Sequence, residues 1–357
     1  MRMFTPATLN SFALAVFRAL YAAAPGENLV ISPLSVRSIL SLAASGALEG
    51  SATRNEMLAV LGGTGPSSAR PGLLSNSSVW ARGKVKGEYA VYARVVYNAV
   101  AVTLSSGDPA PINQWAKDST EGKVDALLGA LDVNTTMALA NTALFNATWV
   151  RRFDPASTAP SRFSPFGAEQ LMCVMMQRDD RDARYVETPH AQVVQLPYSA
   201  GFSATMLLPN GEGPEALGAL VESLSVDMWR DLQEDLKSSQ RGVALSLPRF
   251  GITSSVDLVG PLKSMGMLAP FEGERGGAFR RITDDFEARI GVVAHGARLE
   301  VDERGAVSGG GGVMAAWLRQ PPARPTRMTL DRPFLLLASD GEGAIALAAA
   351  VAAPSML

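Results

Sequence analysis

Few side chains in this sequence are equipped for covalent or metal chemistry. There are two histidines, His190 and His295, and one cysteine, Cys173. One cysteine excludes an intramolecular disulfide and a cysteine-based metal site, and two histidines are too few for a histidine-rich one. No Gly-x-Ser-x-Gly stretch places a serine nucleophile on a strand-to-helix elbow. Gly341-Glu342-Gly343, with Ala346, loosely matches a dinucleotide-binding turn, but the eleven residues after Ala346 cannot supply a βαβ unit. Cys173 lies in an apolar run and reads as an inert core thiol. The expectation is no catalytic residue, no metal and no cofactor. The segment with the strongest functional signal is 303–330, ERGAVSGGGGVMAAWLRQPPARPTRMTL, which has four consecutive glycines and no amphipathic period. A long structureless loop inside a folded domain is usually functional or disordered. Too little chain follows this one for it to be a linker to a second domain, so it reads as an exposed part of the same domain.

The elements around that loop can be placed from periodicity and punctuation. Residues 1–26 have a basic start and Ala22-Ala23-Ala24, as a secretion signal would. Asn10, Ser11 and Arg18 interrupt the apolar stretch, however, and Leu9, Phe12, Ala13, Val16, Phe17 and Leu20 recur at helical spacing. An amphipathic helix is expected, capped by Thr8 or Thr5 and ended by Pro25-Gly26. With no clear signal peptide, the location is open between cytoplasmic and secreted without a typical signal. Ser32 and Ser51 read as caps of helices that end near Gly46 and at Leu61. Asn113–Leu131 and Pro214–Lys237 read as helices. Leu73–Ala81, Gln192–Pro197, Ser203–Leu208 and Val243–Phe250 read as strands, Thr136–Trp149 as one long buried strand, and Ala288–Asp302 as one long strand or a pair. Helices dominate the first half and strands the second, which predicts an α+β domain with antiparallel or mixed sheets, undivided over 1–357.

Composition narrows the partners. Of the 357 residues, 47 % are hydrophobic and 18 % charged, which excludes a disordered chain. Lys+Arg 32 against Asp+Glu 34 leaves a net charge of −2, so there is no strong electrostatic case for nucleic acid or an anionic membrane. No apolar run approaches the ~20 residues of a membrane helix. A soluble monomer is expected.

Eight short stretches, in order along the chain, resemble the serpin family. They are Asn28-Leu29-Val30-Ile31-Ser32-Pro33-Leu34-Ser35, Gly46-Ala47 through Ala52-Thr53, Asn141-Thr142-Ala143-Leu144-Phe145 with Trp149, Val174-Met175-Met176, Leu196-Pro197-Tyr198, Leu207-Leu208-Pro209, Leu247-Pro248-Arg249-Phe250 and Asp302-Glu303-Arg304-Gly305. Asp331-Arg332-Pro333-Phe334 further resembles the strand after the family's reactive loop. The resemblance implies one α+β domain of three β-sheets and about eight helices with an exposed reactive-centre loop at about 303–330. The short span from Gly62 to Leu73 leaves out the family's fourth helix, as in compact poxviral or prokaryotic members. The implied activity is suicide inhibition: a protease cuts the loop as a substrate, and the cut loop inserts into the main sheet.

The loop fits that role by residue type. Counting from the hinge at Glu303 and Gly305, the residues that would point inward after insertion are Ala306, Ser308, Gly310 and Gly312, all small and uncharged. No proline interrupts 305–318, where it would remove a ladder donor. The family carries alanine where Gly309–Gly312 stand. The register implied by the resemblance places the cut bond at Arg319-Gln320, fourteen residues after Gly305, with Trp317 and Leu318 tuning selection. Arg319 as bait implies a trypsin-like serine protease as partner. Arg-preferring cysteine proteases and a non-inhibitory carrier, chaperone or regulator are the alternatives. The resemblance also groups Ser32, Ser35, Asn141 and His295 into a buried cluster beneath the main sheet, with Trp149 near the insertion point.

Overall fold

Three side-chain caps start the helices that carry the main sheet. Thr5 Oγ1 accepts from Thr8 N, Ser32 Oγ from Ser35 N and Ser51 Oγ from Arg54 N. They open α1 (Pro6–Ala23), α2 (Pro33–Gly46) and α3 (Ala52–Leu61), with β1 (Leu29–Ile31) between the first two. The structure, a computed structural model, describes residues 5–355 apart from 64, 66–69, 106, 133, 167–168, 181–182, 240, 275 and 307–325. The chain continues through β2 (Leu73–Ala81), α4 (Gly87–Tyr97), β3 (Ala99–Thr103), α5 (Ala110–Ser119), β4 (Met137–Phe145) and β5 (Ala147–Thr148). Next come β6 (Thr158–Phe163), β7 (Leu171–Asp180), β8 (Arg184–Glu187), β9 (Ala191–Pro197), β10 (Phe202–Pro209), α6 (Pro214–Ser223) and α7 (Val226–Ser238). The remainder is β11 (Val243–Asp257), α8 (Val259–Ser264), α9 (Ala269–Glu272), β12 (Ile290–Val301), β13 (Gly305–Ala306), β14 (Thr326–Thr329), β15 (Phe334–Asp340) and β16 (Ile345–Val351).

Among the described residues these elements form three large sheets and a separate two-stranded β5–β13 pairing, with nine α-helices. The main sheet has the order β3-β2-β4-β12-β11, and a second runs β1-β16-β15-β10-β9-β8. The third is β11-β7-β6 with β14 on the other side of β11. One long strand serves two sheets, because Val243–Arg249 of β11 pairs with β7 and Phe250–Asp257 with β12. At the centre of the main sheet β4 and β12 are parallel neighbours, from Met137↔Ile290 to Phe145↔Leu299. Their odd-numbered residues face the core beneath the sheet, where Leu139, Asn141, Val293 and His295 are buried. The even-numbered residues Ala138, Ala140, Val292 and Ala294 face Val124, Leu127 and Leu131.

Several expectations need correction. The helix expected over Asn113–Leu131 ends at Ser119. Thr120 Oγ1 donates to Ala116 O and accepts from Val124 N, while Glu121 and Gly122 take positive φ of 53° and 79°, so the chain turns out of the helix. Residues 120–132 then run over the main sheet as a strap. Gly296 fits beneath it because it has no side chain: a Cβ there would sit 2.9 Å from both Val124 and Leu127. The strand expected over Thr136–Trp149 divides at Asn146, whose N–H is taken by Gly72 O at 2.7 Å. Pro214–Lys237 is two helices, the second capped by Ser225. Helix α4 was not foreseen, since its Lys86 cap position makes no side-chain bond and its outer face is apolar.

Candidate functional site

The site is built where β12 ends and the chain turns back over the sheet. Asp302 starts a tight turn: its Oδ1 accepts from Arg304 N at 2.7 Å and Gly305 N at 3.0 Å, and its N–H donates to Gly305 O at 2.9 Å. The reversed chain becomes β13, which pairs antiparallel with β5 through Gly305↔Thr148 and Ala306↔Ala147. Both β13 residues are buried. Gly305 has φ 140°, and a Cβ there would collide with Ala147 O and stand 2.6 Å from Thr148 Cα. Gly305→Val is therefore expected to expel the hinge from its pairing with β5, read as faster hydrogen exchange at Ala306 and Trp149 N–H.

Aromatic packing holds this turn from below. Trp149 Nε1 donates to Asp302 O at 3.1 Å, Trp149 N to Arg304 O at 2.7 Å and Phe153 N to Glu303 O at 2.9 Å. The Trp149 ring stacks on Tyr198 at 4.1 Å and meets Phe153 edge-on at 6.2 Å. Burial, with Asp302 nearby, pushes the Tyr198 phenol well above its ordinary pKa, so it stays neutral. Arg178 lies over Phe153 at 4.5 Å and pairs with Asp180 at 2.8 Å, and burial lowers its pKa to about 10. Glu303 reaches Arg249 on β11 at 3.9 Å.

Below this turn, a polar cluster ties together β4 and β12. Asn141 on β4 and His295 on β12 are register partners, with His295 Nδ1 and Asn141 Oδ1 2.7 Å apart. Ser32 N donates to His295 Nε2 at 2.9 Å, so the imidazole is neutral with its proton on Nδ1, which donates to Asn141. Complete burial lowers the His295 pKa to about 3. Ser35 Oγ also lies 2.7 Å from Asn141 Oδ1, and Ser32 Oγ donates to Ala346 O at 2.8 Å. Asn141 Nδ2 donates to Asn76 O and Ser77 Oγ on β2, each at 3.0 Å. Ser32, Ser35, Ser77, Asn141 and His295 are all buried and paired, so the cluster resists any movement that separates its members.

The structure thus brings Ser32, Ser35, Asn141 and His295 into one network and sets Trp149 beside Glu303, Gly305 and Ala306. Ser308, Gly310, Gly312, Trp317, Leu318, Arg319 and Gln320 lie outside the described residues. Sequence reasoning missed Ser77, Phe153 and the Glu303–Arg249 pair. Tyr198 stood in the Leu196-Pro197-Tyr198 stretch, but nothing there signals its stacking on Trp149.

The family model for Serpin (serine protease inhibitor) matches residues 7–354. The chain belongs to the serpin family, whose members are in general protease inhibitors rather than enzymes. It is 30 % identical over 347 residues to Serine protease inhibitor 42Dd of Drosophila melanogaster, covering 88 % of each chain. In fold it is similar to the thermophilic serpin tengpin in its native state, with a TM-score of 0.84, 21 % identity and coverage of 99 % of this chain and 95 % of that one. It is also similar in fold to human thyroxine-binding globulin complexed with thyroxine, with a TM-score of 0.83, 21 % identity and 98 % of each chain covered.

Proposed function

We propose that this serpin is a suicide inhibitor of Arg-directed, trypsin-like serine proteases, with Arg319-Gln320 as the bond attacked. The observation that carries the reading is the poised hinge: β13 runs antiparallel to β5 at the head of a closed β4–β12 pair. A strand that continued from β13 would run antiparallel to both neighbours, replacing one parallel pairing by two antiparallel ladders. In this reading the protease serine attacks the Arg319 carbonyl, the ester forms and the Gln320 amine leaves. The loop from Gly305 then enters between β4 and β12, with Ala306, Ser308, Gly310 and Gly312 facing the core, and carries the ester-linked protease with it. The Asn141–His295 contact must open for this, and the strap over Ala294 and Gly296 must lift.

Incubation with trypsin is expected to give an adduct that survives SDS, and Arg319→Ala to reduce its yield by at least about 100-fold, the cost of an empty specificity pocket. Quantitative cleavage with full protease activity retained would overturn the proposal. A second reading, a non-inhibitory serpin, draws on the Gly309–Gly312 run, since glycine disfavours the inserted strand by roughly 0.5–1 kcal/mol per residue relative to alanine. An Arg-preferring cysteine protease would give a thioester adduct by the same loop chemistry.

A further inference from the structure

The face formed by α4 and β3 takes no part in the hinge or the polar cluster, yet it gathers exposed apolar side chains. Val91, Tyr92, Val95, Val96 and Val100 are 37–73 % exposed within ten residues of chain. Scattered apolar residues on a surface need no explanation, but a contiguous set marks a contact. β3 is also the outer strand of the main sheet. Its sequence, Ala-Val-Ala-Val-Thr, has no charge or proline, the devices that keep open sheet edges from pairing.

The geometry selects an occupant. α4 and β3 lie side by side in opposite directions: Asn98, at φ 50°, turns the chain between them, and at the far end Val85 N donates to Thr103 Oγ1 at 3.4 Å. Eleven helical residues and five strand residues both span about 16 Å, so their midpoints are level. The charged residues of α4 are Glu88 and Arg94, both exposed and three positions either side of Val91, which is one helical residue, about 1.5 Å, from the midpoint Tyr92. A two-fold axis at that level reverses the direction of the helix and sets each Glu88 against the Arg94 of a second copy. The same axis runs the two β3 edges antiparallel, Val100 opposite Val102. We propose that two copies of this chain associate through this face, β3 edge to β3 edge, with α4 against α4. The contact is self-complementary and closes at two.

Sedimentation velocity of the full chain from about 1 to about 100 µM tests it. The expected result is a single concentration-dependent shift from monomer to dimer. Glu88→Arg and Arg94→Glu, each of which opposes like charges twice, are expected to move the midpoint at least about 5-fold higher. The double swap Glu88→Arg/Arg94→Glu is expected to restore it to within about 2-fold. Val100→Lys, which puts a charge on the open edge, is expected to leave monomer only. All three positions are exposed, so thermal melting of the variants should match the parent and separates lost association from lost folding. A monomer at every concentration, growth beyond a dimer, a double swap that fails to restore association, or a dimer indifferent to Val100→Lys would each overturn the proposal. None of these outcomes depends on whether the loop traps a protease.

Discussion

One cut within residues 307–325 is expected to raise the melting temperature of this serpin by about 20 °C, measured by calorimetry on intact and cleaved chain. The gain comes from the strand that the cut releases. In the intact chain β4 and β12 share one parallel ladder, and the hinge contributes two residues of pairing with β5. After insertion a loop strand of about a dozen residues would bond on both sides, at a net contribution of roughly 1 kcal/mol per hydrogen bond. For a domain of this size each kcal/mol is worth about 2 °C. Gly309–Gly312 hold back part of this, and replacing all four with alanine is expected to add about 2–4 kcal/mol to the inserted form. The same replacement should increase the fraction of trypsin trapped over the fraction released, because insertion competes with ester hydrolysis. A cleaved chain that melts no higher than the intact one would favour the non-inhibitory reading.

The second large effect concerns the polar cluster under the main sheet. Asn141→Ala is expected to cost about 3–5 kcal/mol, because it leaves the His295 Nδ1 proton and the Ser77 hydroxyl without a buried partner. The strands it joins should then part more readily, and insertion of the uncut loop should be faster, read as loss of inhibitory activity on incubation without protease. His295 adds a pH dependence of defined sign. In the unfolded chain its imidazole takes a proton near the ordinary value of 6.5, but in the native chain only near about 3. Above pH 6.5 both states hold it neutral and nothing is lost. Below pH 6.5 the unfolded state binds more protons, so native stability falls by up to roughly 1.4 kcal/mol per pH unit until about pH 3. Gln at 295 can keep a donor toward Asn141 and an acceptor for Ser32 without titrating. The gap in melting temperature between parent and His295→Gln is expected to narrow on acidification from pH 7 to 4. A constant gap would show that His295 does not titrate in this window.

What could be read beforehand follows a physical division. Ser32 and Ser51 were legible as helix starts because a cap acts within a few residues of chain. The separate strands of the antiparallel sheets were legible because apolar alternation between turn signals is local too. The Ser32–His295 bond spans 263 positions, and no pattern in either neighbourhood announces the other. Family resemblance grouped those two residues, while Ser77 and Asn76, which take the other side of Asn141, went unseen because a side-chain amide meets whatever the next strand offers. The strap misled the reading because Val124, Leu127 and Leu131 recur at helical spacing while the Thr120–Gly122 turn prevents a helix. Helix α4 escaped because its solvent side is apolar, which obscures the period of an amphipathic helix.

The order of the second sheet sets when a molecule of this protein can come into being. β16 lies between β1 and β15, with Leu29–Ile31 paired to Ala348–Ala350 and all seven of its residues buried. While the nascent chain emerges from the ribosome, β1 waits for a partner made more than three hundred residues later. Chaperones have their longest exposure to this polypeptide during that interval, and translation stalled before residue 345 leaves a species that can recruit the missing strand from a neighbour.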